Sequence, residues 1–250
     1  MDDKDSLVQG EFDLERESAF SYQCNACKRC CHKKAILVTP YEILRLARRL
    51  GLSTTDFIAH HTVAGGTVLR TRDDDDACVF LNERGCGVHP DRPVVCRIYP
   101  LGRYVDPQGQ ESFAHLTPHP ETAGVYGVSG TVASFLEGQG VAQFFVMADR
   151  YDALYQRMVD VLERLDPEEL DRRAARRNDI YETEAGTAAC SWIDIDETVA
   201  AYCKAQGRPI PDGIEDAVAV HIEAVEQWIS ELGKRQRCAP EIGVDNSPIS

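Results

Sequence analysis

Seven cysteines crowd into residues 24 to 96, and four of them stand in one short run, Cys24-Asn-Ala-Cys27-Lys-Arg-Cys30-Cys31. A thiol engaged by another sulfur or by a metal ion must be brought to one point, so such a run dictates much of the fold around it. Redox compartment decides between the two uses. The N-terminus, Met1-Asp2-Asp3-Lys4-Asp5, is acidic where an export leader is basic and then apolar. No apolar run approaches the roughly 18 to 20 residues that span a bilayer. Both observations point to the cytoplasm, where thiols stay reduced and clustered cysteines bind metal more often than they pair. The expectation is a cytoplasmic, metal-binding protein with no membrane partner.

Charge sharpens this. Across the 250 residues there are 27 Lys and Arg against 41 Asp and Glu, a net charge of −14, which argues against a nucleic-acid partner held by a basic surface. The acidity is unevenly spread: residues 24 to 104 hold 13 basic and 8 acidic residues, leaving 14 and 33 elsewhere. Between Cys24 and Lys34 there are four cations, Lys28, Arg29, Lys33 and Lys34, and no carboxylate. Such cations would lower thiol pKa values and offset the charge of a multi-thiolate metal site. The Asp73-Asp74-Asp75-Asp76 run reads as a solvated loop.

The pattern of turns and periodicities predicts an α+β fold, with a small cysteine-rich half of short helices and hairpins followed by a helical half. Residues 1–20 read as a flexible acidic arm, 21–130 as the cysteine-cluster region, 131–238 as the helical region and 239–250 as a tail. Thr39-Pro40-Tyr41-Glu42 is a capping box that opens a helix ending at Gly51, and Ser53 with Asp56 opens a second, ending at His60-His61. Short strands are expected over Thr67 to Arg72, Ala77 to Leu81 and Cys86 to His89. A hairpin is expected about Asp106-Pro107-Gln108-Gly109. Helices follow from Thr131 to Glu137, Val141 to Leu165, Pro167 toward Arg177, Glu197 to Gln206 and Ile214 to Leu232. The stripe Phe135, Phe144, Phe145, Tyr151, Leu154, Tyr155 and Met158 reads as core rather than cofactor pocket.

The metal candidates are Cys24, Cys27, Cys30, Cys31, Cys78, Cys86 and Cys96. C-x2-C-x2-C is the opening of a ferredoxin-type run, although the fourth cysteine of that pattern, spaced x3 and followed by proline, is absent. Zinc sites use paired C-x2-C knuckles, whereas seven residues separate Cys78 from Cys86. Two neighbouring thiolates on one ion would close a small strained ring, so Cys30 and Cys31 are expected to address different metal atoms or to bridge. Seven thiols also exceed the four that one tetrahedral ion or one [4Fe–4S] cluster takes. These points favour a polynuclear iron–sulfur site of [4Fe–4S] type, with zinc as the alternative. Cys190, Cys203 and Cys238 read as ordinary thiols. Dinucleotide, P-loop, zinc-protease and nucleophile-elbow motifs are missing, as is the C-x3-C-x2-C spacing of radical S-adenosylmethionine enzymes. Thioredoxin-like use of Cys24 and Cys27 lacks the βαβ setting it needs.

The ordered series Cys24-x2-Cys27-x2-Cys30-Cys31, Cys78-Val-Phe-Leu and Cys86-Gly-Val-His89-Pro-Asp-Arg92-Pro93-Val-Val-Cys96-Arg97-Ile-Tyr99-Pro100 resembles the CxxCxxCC, or YkgJ-type, cysteine cluster family. That family is described as zinc- or iron-chelating, and the flagellin lysine N-methylases are similar to it in this motif. The resemblance implies that the seven cysteines are ligands and that Arg92, Pro93, Arg97, Tyr99 and Pro100 are signature residues around the last of them. It also implies a further cysteine before a glycine, where this chain reads Glu121-Thr122-Ala123-Gly124, with His115 or His119 the nearest substitutes. His32 and His89 are additional ligand candidates by position. Arg92 and Arg97 would tune a cluster or hold an anionic substrate. Three functions remain open on these grounds: an iron–sulfur protein, a zinc-stabilised interaction module with a protein partner, and a metal-dependent protein-modifying enzyme.

Overall fold

The computed structural model describes residues 11–165 and 192–237. Among them the chain is α+β, with seven α-helices and four antiparallel two-stranded sheets. No described helix is long and apolar enough to cross a membrane. Residues 1–10, the helix expected beyond Pro167, Cys190 and Cys238 lie outside the described residues.

Local chemistry explains the first helices. Thr39 Oγ1 accepts from the Glu42 N–H while Glu42 Oε2 accepts from the Thr39 N–H at 2.7 Å, closing the expected capping box. Helix α1 (Pro40–Leu50) then runs to Gly51, whose φ of 69° ends it in the left-handed conformation that glycine adopts freely. Ser53 accepts from the Asp56 N–H and starts α2 (Thr54–His61).

The strands expected next shrink to pairs of residues. β2 (Thr62–Val63) pairs with β3 (Val68–Leu69), and β4 (Leu81–Asn82) with β5 (Gly85–Cys86). The rest of this stretch is turns tied by single bridges, Thr71 to Cys78 and His32 to Ala77. After α3 (Val94–Ile98) comes the expected hairpin of β6 (Leu101–Val105) and β7 (Glu111–His115), its turn fixed by Asp106 accepting from the Gln108 and Gln110 N–H groups. β1 (Ala19–Gln23) pairs with β8 (Val125–Thr131), a ladder that joins residues about a hundred positions apart and that sequence periodicity does not announce. Four helices follow among the described residues: α4 (Val132–Gly138), α5 (Ala142–Leu165), α6 (Ile195–Gln206) and α7 (Ile214–Arg237).

Apolar packing crosses residue 130 in both directions. Tyr41 and Leu44 of α1 join Phe144, Tyr151 and Leu154 of α5, Val199 of α6 and Val218 of α7 in the largest buried cluster. The other face of α1 packs Ile43 and Leu46 on Phe57, Leu69 and Phe80. In a third cluster Phe20 of β1 meets Ile98, Phe113, Leu136 and Phe145. Phe20 is buried and Leu14 bridges Phe113, so the end of the segment expected as an arm is built into the fold. The α5 stripe is core as expected, except for the exposed Tyr155.

Candidate metal centre

β1 runs directly into the cysteine loop. From Ser21 through Leu37 no residue is fully buried, so this loop has no apolar core of its own. It also holds three non-glycine residues in the left-handed region, Ala26, Lys28 and Lys33, with φ of 52°, 66° and 52°. Each such residue costs about 1–2 kcal/mol. These kinks bracket a 3₁₀ turn over Arg29–Cys31 that turns the last two thiols of the run inward.

Polar ties hold the loop to three other segments. The Cys78 N–H donates to the Cys31 carbonyl at 2.8 Å, and the Lys33 N–H to the Asp76 carbonyl at 2.9 Å, which sets Cys78 beside the Cys30–Cys31 pair. The β4–β5 hairpin, with Leu81 opposite Cys86, brings Cys86 back toward Cys78. On the other side Asn25 Nδ2 donates to the Ala123 carbonyl at 2.8 Å and Arg29 pairs with Glu121 at 2.8 Å. The stretch Glu121 to Gly124 therefore lies against the CxxC run, with Ala123 where the resemblance implies a cysteine.

Cys96 is placed by two buried charged residues. Glu42, 2% exposed, uses its second carboxylate oxygen to accept from the Val94 N–H at 2.6 Å, capping α3 as well as α1. Arg97, 8% exposed, donates to the carbonyls of Pro90, Arg92 and Gln139 and lies over the Phe144 ring at 4.1 Å. The hydrogen bonds of Arg97 thus go to backbone carbonyls. Arg92 is oriented by the His89 carbonyl and Gln139 Oε1 and lies close enough to Cys30 and Cys86 to favour their thiolates.

All eight described cysteines are free thiols. Cys30, Cys31, Cys78, Cys86 and Cys96 sense one another's charge and form an inner set, Cys27 stands at its rim beside Cys30, and Cys24 is exposed. The sulfurs of Cys30 and Cys31 are 4.0 Å apart. Hydrogen bonding by the Cys31 thiol brings Cys30 down to about 7, and the same bond pushes Cys31 up. Burial raises Cys96, Cys78 and Cys86, and neighbouring thiolates raise all three further. Cys27 is lowered by the backbone of Ala123 and then of Arg29. The amide two residues on favours the thiolate at Cys27 (Arg29), Cys78 (Phe80) and Cys86 (Val88), a recurrent local support for metal-binding sulfur.

Among the described residues no group of three or more Cys, His, Asp or Glu side chains is placed so that it could hold a metal ion. The donor chemistry nonetheless fits a thiophilic metal: soft sulfurs that raise one another's pKa, a repulsion that a cation relieves, with Glu42 adding to it at Cys96. None of the histidine candidates is turned to the sulfurs by a contact of its own. His32 Nδ1 faces the Lys28 carbonyl at 3.2 Å, His89 Nδ1 faces Arg92 at 3.2 Å, His119 Nδ1 accepts from the Glu121 N–H, and the His115 ring packs on Phe20. Of the four loop cations, Lys28 donates to the Glu83 carbonyl and Arg29 is paired with Glu121, while Lys34 favours the Cys30 thiolate. Asp73 to Asp76 are exposed, as expected, and Asp75 is held by Arg72.

Sequence reasoning missed an aromatic wall. Tyr22 and Tyr126 are directly opposed on β1 and β8 with ring centroids 5.0 Å apart, and Tyr99 completes the group 6.1 Å from Tyr22. All three lie within reach of the Cys30 charge. Gly124 lets Tyr22 approach, since a Cβ there would stand 2.3 Å from its hydroxyl. The one local hint is Tyr22-x-Cys24; Tyr126 is joined to the site only through the long-range ladder. Two surface clefts, one flanked by Phe12 and Tyr104 and the other by Arg16, Arg103 and Phe145, have no cysteine in their walls.

Residues 23–118 match the CxxCxxCC family, described as a "Putative zinc- or iron-chelating domain". No curated protein and no solved structure matches the chain. The matched segment includes all seven clustered cysteines, the Arg97 turn and Tyr99, while Tyr126 of β8 lies just beyond it.

Proposed function

We propose that some of the seven cysteines hold a polynuclear metal centre, an iron–sulfur cluster of [4Fe–4S] type, and that this centre is what orders the cysteine loop. One observation carries the reading: a loop with no buried residue and three left-handed kinks nonetheless gathers thiols from three separate segments. Burial does not offset that local cost, whereas metal–thiolate bonds would. The inner set of five supplies more sulfur than one tetrahedral ion takes, and Cys27 and Cys24 extend it toward solvent. A bound cluster supplies electron-transfer capacity; the chain supplies thiolates, amides directed at sulfur, and the nearby guanidinium of Arg92.

A second reading, a zinc-stabilised module, draws support from the Cys30–Cys31 pair. Two thiolates on one tetrahedral zinc, at bonds of about 2.3 Å, stand roughly 3.8 Å apart. The observed 4.0 Å is close to that. Purification without oxygen, followed by iron, acid-labile sulfide and zinc quantification, separates the two. The iron–sulfur reading expects roughly four iron and four sulfide per chain with a visible charge-transfer band. Stoichiometric zinc with neither sulfide nor that band overturns it in favour of the second.

A further inference from the structure

Cys96 stands in α3, a single turn of five residues that is too short to hold itself together by its own hydrogen bonds. Pro93 precedes the turn and brings no side chain that could cap it. The cap comes instead from a residue 52 positions upstream. Glu42 Oε1 accepts from the Val94 N–H at 2.6 Å, while Oε2 accepts from the Thr39 N–H at 2.7 Å and from the Thr39 hydroxyl at 3.0 Å. Glu42 is buried and each of these partners is a donor, so one carboxylate joins the starts of two helices. The other end of the turn is held by Arg97 through the carbonyls of Pro90, Arg92 and Gln139. Just upstream, Asp91 pairs with Arg45 of α1 at 2.6 Å. None of these ties involves residues 24–31. Through Glu42 and Asp91 the turn is fastened to α1, which packs into two of the three buried apolar clusters. A ligand whose backbone is constrained in this way loses less conformational freedom on binding than one that has to be gathered.

Resting on the metal-binding reading above, we propose that Glu42 is a positioning residue of the metal centre: by capping α3 from α1 it fixes where Cys96 presents its sulfur to the metal. Glu42 acts from outside the coordination sphere, since both of its oxygens are engaged, one by Val94 and the other by Thr39. It is thereby the side chain that ties a metal-binding thiol to the helical core.

The test sets Glu42→Leu, which removes both acceptors at similar size, beside Leu154→Ala, which lowers stability from within α5. Both are made in the full chain. Each folded protein, loaded with the iron or zinc that wild type carries, is challenged with a competing chelator. Metal-free samples are titrated with cobalt(II), whose charge-transfer absorption reports thiolate ligands. Glu42→Leu should hold its metal roughly 10- to 100-fold less tightly, the range for losing a group that orients a ligand, and should show weaker thiolate absorption at saturating cobalt. Leu154→Ala should match wild type in both readouts. Wild-type retention or wild-type cobalt absorption in Glu42→Leu overturns the proposal while leaving the metal-binding reading intact. An equal loss in Leu154→Ala also overturns it, because general instability then accounts for the effect. Should Glu42→Leu fail to fold, Glu42→Gln, which keeps one acceptor oxygen, carries the same comparison with a smaller expected loss. Wild type that takes up neither iron nor zinc overturns both readings together.

Discussion

Helix α5 alone buries Phe144, Phe145, Met147, Tyr151, Leu154 and Met158, whereas from Ser21 through Leu37 nothing is fully buried. Each large apolar side chain taken out of water contributes about 1.5–3 kcal/mol, so the helical region carries its driving force in its own periodicity. The cysteine loop has instead hydrogen bonds to residues 76–78, an exposed ion pair from Arg29 to Glu121, and backbone kinks that act against it. Exposed ion pairs contribute at most about 1 kcal/mol. On the proposed reading, the polypeptide leaves part of its ordering to a group outside the sequence. Where the local conformation costs more than local burial returns, the thiols are the remaining source of order.

Four substitutions or conditions probe this contrast, the largest effect first. Cys96→Ser removes the half-buried thiol that α3, Glu42 and Arg97 hold in place; metal per chain should fall below half of wild type while the helical circular dichroism of α5 to α7 persists. Leu154→Ala strikes the other region. It should lower stability to urea by about 2–5 kcal/mol and leave metal content unchanged.

Acid should act on the helical region as well. His221 is fully buried, its Nδ1 3.0 Å from the Tyr151 hydroxyl with Asp194 also nearby, and burial brings its pKa from 6.5 down to about 4. The unfolded chain therefore binds this proton first. Stability from the neutral ring is complete above pH 6.5 and is lost as pH falls toward 4, an effect on the order of 3 kcal/mol. Urea titrations at pH 7 and 4.5 should show a larger acid loss in wild type than in His221→Gln. Equal losses would remove His221 from the account. Cys24→Ser should have the smallest effect, since Cys24 is exposed at the edge of the set: metal stays bound, with retention against a chelator weakened only a few-fold.

How much of this was legible in the sequence follows the same division. The caps at Thr39–Glu42 and Ser53–Asp56, the stop at Gly51, the Asp106 turn and the helical spans are all local, and propensity with hydrogen-bonding chemistry is enough to find them. The cysteine set was legible as composition and spacing. Its division into inner and outer thiols was not, because that depends on which segments the bridges at His32–Ala77 and Leu81–Cys86 bring together. Glu42 reads as a helix cap, yet its second oxygen caps α3 some fifty residues on. Tyr126 carries no local signal, since the β1–β8 register that gives it meaning is set by long-range pairing in a strand broken by Gly127 and Gly130.

The central claim, that metal held by these cysteines orders the loop, is tested most directly by hydrogen exchange on oxygen-free protein before and after its metal is stripped, with metal content measured in both samples. The account predicts that amides of residues 24–33 and 76–96 lose protection on stripping while those of α5 and α7 keep it. Unchanged exchange in the cysteine segments after verified metal removal would contradict it.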